Sequence, residues 1–208
     1  MTTTETGFVH RFLPAQGEGD PRTLLMLHGT GGDENSLLDL GRELAPQAAL
    51  LSLRGKVREN GMPRFFRRLA EGVFDQEDLK LRTRELADFL PTAAAQYGFD
   101  PVKVIAVGYS NGANIAASLL LTHPDALAGA VLLHPMVPFV PETSPALSGT
   151  PIFIGAGQTD PIVPIRQTTD LAAILEAAGA EVSLFWQTGG HNLSKAEFEA
   201  ARTWLATI

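Results

Sequence analysis

Five residues, Gly108-Tyr109-Ser110-Asn111-Gly112, follow an apolar run at 102–107 and precede a helical pattern at 111–121. A serine with glycines two positions away on either side, between strand and helix, is the pattern of an activated nucleophile on a sharp turn. Such a turn strains the serine backbone and projects Oγ. Side chains at 108 and 112 would meet neighbouring backbone. The helix start supplies N–H donors and a positive dipole end for a developing oxyanion. Without that context the pentapeptide would read as a glycine-rich turn with an incidental serine.

A nucleophilic serine needs an imidazole within hydrogen-bond reach, and the imidazole needs a carboxylate to fix its tautomer. Three histidines lie downstream of Ser110: His123, His134 and His191. His123 ends the helix after the nucleophile. His191 follows the last strand in a glycine-rich loop and is read as the base. His134, also just past a strand end, is either a substrate contact or a structural donor. Asp160, in Gly157-Gln158-Thr159-Asp160-Pro161, stands beyond a strand end and is read as the acid. Its alternative is a helix cap before Pro161.

The run His28-Gly29-Thr30-Gly31-Gly32-Asp33 leaves a strand and can bring backbone close to a ligand. It is read as the oxyanion loop, with the N–H of Thr30 paired with that of Asn111. A phosphate loop is the alternative, but no lysine follows the glycines. His28 is expected to brace the loop. Thr30, Ser110, Asp160 and His191 each follow a different predicted strand, and the carboxyl edge of a parallel sheet is where ligands bind.

The elements that must place these residues are legible as periods. Strands are predicted at 9–13, 23–28, 48–53, 102–107, 128–133, 152–155 and 181–187, mostly as continuous apolar runs suited to burial on both faces. Leu79, Leu86, Leu90, Ala93 and Tyr97 draw one stripe down a helix at about 77–97. Leu171, Ile174, Leu175 and Ala178 mark another, stopped by Gly179. Ser194 to Glu197 reads as a capping box opening the last helix. Strand–helix alternation predicts an α/β fold, a mostly parallel sheet with helices on both faces. The first strand, followed only by 14–21, suits an antiparallel edge hairpin.

The chain has 208 residues, 45% hydrophobic and 19% charged, with no cysteine and a net charge of −7. These numbers fit one globular domain over 1–208 and exclude disulfides, cysteine-held metals and a thiolate nucleophile. The acidic balance argues against a nucleic-acid partner. No apolar run reaches membrane-helix length and no secretory signal is visible, so no membrane insertion and a cytoplasmic location are expected.

In their order along the chain, these motifs resemble the α/β-hydrolase superfamily. Within it they are similar to the small carboxylesterase/phospholipase family, which includes acyl-protein thioesterases and dienelactone-hydrolase-like proteins. The segment from Glu59 to Phe66 resembles a bacterial subgroup of carboxylesterases. The resemblance implies a sheet of seven or eight strands, a Ser-His-Asp triad, no cofactor and often a homodimer. Dienelactone hydrolases proper use cysteine, which is absent here.

At this length no cap domain is expected, so the site should be open. The implied activity is a serine carboxylesterase on small to medium esters. The alternatives are a thioesterase or lysophospholipase on longer chains, and a non-catalytic binding protein. Residues 54–76 lack a period and are the sizeable insertion near the sheet edge. Phe65, Phe66 and Val73, together with Met136, are expected to line the substrate pocket. Up to position 68 the segment carries six basic residues and one acid. Its arginines either attract an anionic substrate group or pair with nearby acids.

Overall fold

The computed structural model describes residues 2–3, 7–17 and 20–208. In chain order the elements are β1 (Thr2–Thr3), β2 (Val9–Leu13), β3 (Thr23–Leu27), α1 (Leu38–Leu44), β4 (Ala49–Leu53), β5 (Val57–Glu59), β6 (Met62–Arg64), β7 (Arg68–Ala70), β8 (Val73–Phe74), α2 (Gln76–Tyr97), β9 (Val104–Tyr109), α3 (Asn111–Thr122), β10 (Gly129–Leu133), β11 (Pro151–Gly157), α4 (Ile165–Ala177), β12 (Glu181–Gln187) and α5 (Lys195–Leu205). Eight strands form one sheet in the order β1-β2-β4-β3-β9-β10-β11-β12. From β4 to β12 all neighbours are parallel, whereas β2 runs antiparallel to β4.

All seven predicted strands are present. The expected edge hairpin is corrected: β2 does not fold back on β3 but pairs with β4, and β1 covers its other side.

Alternation along the strands divides the core. Leu25, Leu27, Ala106, Leu132 and Ile154 join Leu79, Leu86 and Phe89 of α2, Ile115 of α3 and Leu171 and Leu175 of α4 on one face. Leu24, Met26, Val107, Val131 and Phe153 join Leu44 of α1 and Ala201 and Leu205 of α5 on the other. Central strands buried on both faces have no polar side, hence the unbroken apolar runs. The helix stripe at 77–97 is α2, and Gly179, at φ +94°, follows α4. The capping box is formed, with Ser194 Oγ accepting from the Glu197 N–H at 3.1 Å.

The register sets the site. Leu27 lies opposite Gly108, Leu133 opposite both Tyr109 and Gly155, and Gly157 opposite Gln187. The carboxyl ends of β3, β9, β10, β11 and β12 therefore form one rim, and the loops leaving them must meet.

Candidate active site

Ser110 is the residue between β9 and α3, with φ +52° and ψ −111°. Such a φ is costly for a residue with a Cβ and is held by its surroundings. Its N–H donates to Leu133 O at 2.8 Å, and its carbonyl receives the Asn114 N–H at 3.0 Å. The flanking glycines are required sterically. A Cβ on Gly108 would overlap the backbone of Gly112 and Ala113, and one on Gly112 would overlap the carbonyl oxygen of Leu27.

His191 reaches this turn from the loop after β12. Its Nε2 is 2.9 Å from Ser110 Oγ, and its Nδ1 is 2.7 Å from Asp160 Oδ2. Tyr109 Oη donates to the His191 carbonyl at 2.8 Å and anchors the loop. Asp160 Oδ1 accepts the N–H groups of Ile162 and Val163 at 2.8 and 3.0 Å. Burial opposes its ionisation. The N–H groups of Val163 and Ile162, with the two imidazoles, outweigh burial and hold the carboxyl below its ordinary range.

The same Asp160 oxygen receives a second imidazole, His134 Nδ1, at 2.9 Å. His134 Nε2 lies 3.2 Å from Glu197 Oε2. His134, Asp160 and His191 bring ligand-type atoms within 4.8 Å of one another. Both Nδ1 atoms there face one carboxylate oxygen, which accepts, so the three side chains form a hydrogen-bond network.

Thr30 sits on the cavity beside Ser110 and Asn111. The loop that carries it is tied down from several sides. The Gly31 N–H donates to Pro63 O at 2.9 Å, and Arg64 Nη1 donates to Thr30 Oγ1 at 2.6 Å. His28 is buried; its Nδ1 donates to Gly29 O at 2.6 Å and its Nε2 accepts the Gly55 N–H at 3.0 Å. It braces the loop, and burial pushes its pKa down. The N–H of Asn111, first in α3, has no acceptor within its own helix.

These residues open into a cavity of about 300 Å³ that also touches Arg64, Arg68, Glu71, Phe74, Met136 and Ile162. Of the expected pocket residues, Met136 lies on it. Phe65 and Phe66 do not: they are 1% and 0% exposed and belong to the core. Phe65 packs on His28 with ring centroids 4.8 Å apart, and Phe66 meets Phe74 edge-on at 5.1 Å. The segment forms only two small hairpins outside the main sheet, so burial of these rings must anchor it. Val73 is 51% exposed and off the cavity, while its neighbours Gly72 and Phe74 line it.

The basic residues of the segment are largely paired. Arg54 meets Glu34, Lys56 meets Glu85, Arg67 meets Asp75 and Asp78, and Glu59 serves both Arg64 and Arg68. The anchoring role of Asn111 Oδ1, which accepts the Phe65 N–H at 2.7 Å, carries no sequence signal. Nor does the burial of Glu197, whose place in a capping pattern announces only a helix start.

The family model for Phospholipase/Carboxylesterase matches residues 13–208. MhqD of Bacillus subtilis (strain 168) is 56% identical over 181 residues, covering 87% of this chain and 90% of MhqD. The crystal structure of the Bacillus cereus carboxylesterase superposes with a TM-score of 0.94 at 49% identity, covering 96% of this chain and 94% of that one. The carboxylesterase from Mesorhizobium loti gives a TM-score of 0.90 at 33% identity, with 97% and 95% covered. Among the described residues no helix is long and apolar enough to cross a membrane. With this rim, this topology and these relatives, the chain belongs to the phospholipase/carboxylesterase family of α/β-hydrolases and is a carboxylic ester hydrolase.

Proposed function

We propose that the protein is a serine carboxylesterase for small to medium esters, working through an acyl-enzyme. The observation that carries this reading is the relay from Ser110 Oγ to His191 at 2.9 Å and on to Asp160 at 2.7 Å, opening into the cavity. His191 Nε2 takes the hydroxyl proton as Oγ attacks the ester carbonyl. Asp160 orients the imidazole and stabilises its cationic form. The N–H groups of Thr30 and Asn111 receive the oxyanion, helped by the positive end of α3. The tetrahedral intermediate collapses, His191 returns the proton to the departing alcohol, and water then cleaves the acyl-enzyme by the same steps.

The cavity, about 300 Å³, is at the small end of the range for ligand pockets and supports short acyl groups. Arg64 and Arg68 line it, but Glu59 pairs with both and Glu71 shares the wall, so no strong preference for anionic esters is expected.

The test is a panel of nitrophenyl esters of rising chain length together with acyl-CoA thioesters. Highest kcat/KM on the short and medium esters is expected. A maximum on long chains or on thioesters would replace this reading with a thioesterase or lysophospholipase. A homodimer is the assembly that the family resemblance favours, and the mass in solution is read by light scattering: twice the chain mass supports it and a single chain mass removes it.

A further inference from the structure

His134 follows β10, is fully buried and adopts φ +53°. A buried, non-glycine residue in that conformation is fixed by what surrounds it. Its Nδ1 donates to the Asp160 oxygen that also receives His191. Its Nε2 faces Glu197 Oε2 at 3.2 Å and Gln187 Nε2 at 3.3 Å. The Gln187 amide directs its hydrogens to the carbonyls of Asn192 at 2.8 Å and Gly190 at 3.2 Å. An amide nitrogen has two hydrogens, so none is left for His134, and His134 Nε2 donates to Glu197. An imidazole that donates from both nitrogens is an imidazolium. Glu197 stands in the first turn of α5, where the helix favours a carboxylate. Gly155 makes room for it, since a Cβ there would overlap Glu197 Oε1.

We propose that His134 is a positively charged positioning residue: it aims Asp160 at His191, and its charge keeps the enzyme active further into acid than a neutral residue would. This rests on the reading of Ser110, His191 and Asp160 as a triad. The titratable groups facing His134 are Asp160 after β11, Glu197 on α5, His191 after β12 with ring centroids 5.1 Å apart, and Tyr109 on β9 at 6.0 Å. Burial works against the charge on His134, but hydrogen bonds to Glu197 and Asp160 and their negative fields outweigh it and raise its pKa above the ordinary value. A positive charge beside His191 opposes the arrival of a second one. Acid therefore shuts the relay later than it would with His134 neutral.

The test has two readouts. In the wild-type protein, ¹⁵N NMR of the His134 ring at neutral pH is expected to show both nitrogens protonated. A neutral tautomer there overturns the proposal without any variant having to fold. In His134→Asn the side-chain N–H can replace Nδ1–H and the left-handed backbone is tolerated, but the charge is gone. The acid limb of kcat/KM, and of the rate at which a fluorophosphonate labels Ser110, is expected to move up by about one pH unit. A labelled variant with an unmoved acid limb overturns the proposal. If wild-type Ser110 is not labelled at all, the triad reading fails, and this proposal falls with it.

Discussion

Two regions wall the same cavity and are built in opposite ways. Thr30, Ser110, Asp160 and His191 stand one to four residues past the ends of β3, β9, β11 and β12, so the ladder of the main sheet aims them. Residues 54–76 have no ladder to that sheet. Besides two backbone bonds, from Arg54 N–H to Val9 O and from Gly31 N–H to Pro63 O, they are held by individual side chains: Asn111 on the Phe65 N–H, His28 on the Gly55 N–H, Arg64 on Thr30, and the buried rings of Phe65 and Phe66. The first region depends on backbone geometry that the whole sheet enforces. The second depends on a few anchors, and removing one should be felt locally and strongly.

Substitutions can separate the two. Ser110→Ala is expected to lower kcat by roughly 10⁴–10⁶ with little change in the urea midpoint, because it removes chemistry and leaves the ladder intact. Retained turnover would break the assignment of the rim. Phe65→Ala should do the reverse, costing about 3–5 kcal/mol in urea unfolding, since it empties the contact with His28 beneath the loop that carries Thr30. A loss below about 1 kcal/mol would show that the segment is held some other way.

A smaller effect should appear in the pH dependence of stability. The raised pKa of His134 means that its contribution is complete below the unfolded value of 6.5 and is lost as pH rises through the folded value. The stability gap between wild type and His134→Asn should therefore narrow above neutral pH in urea titrations. Asp160, with a lowered pKa, has the opposite sign: its contribution is complete above 3.8 and is lost as pH falls through the folded value. Val73→Ser, at an exposed position outside the anchors, should change stability by less than about 0.5 kcal/mol and sharpen the contrast with Phe65.

The same contrast explains what could be read from the chain alone. Strand ends are visible because central strands are apolar on both faces and glycines mark the turns after them. The residues just beyond β3, β9, β11 and β12 could be picked out for that reason. Phe65 and Phe66 carry no such mark. Aromatics on an aperiodic segment fit a pocket wall and a buried anchor equally well, and only the long-range contacts with His28 and Phe74 decide between them. Glu197 was legible as a cap and illegible as a partner of His134, because the two meet across 63 positions of chain. The placement of β2 against β4 depends likewise on a non-local pairing that the sequence near residues 14–21 does not encode.

The central claim is that Ser110 is the nucleophile of this rim, and covalent labelling tests it most directly. Incubation with a fluorophosphonate followed by intact-mass and peptide mass spectrometry should show one adduct per chain, on the peptide that contains Ser110, and none in Ser110→Ala. An adduct on another residue, or an unlabelled chain that still hydrolyses esters, would contradict it.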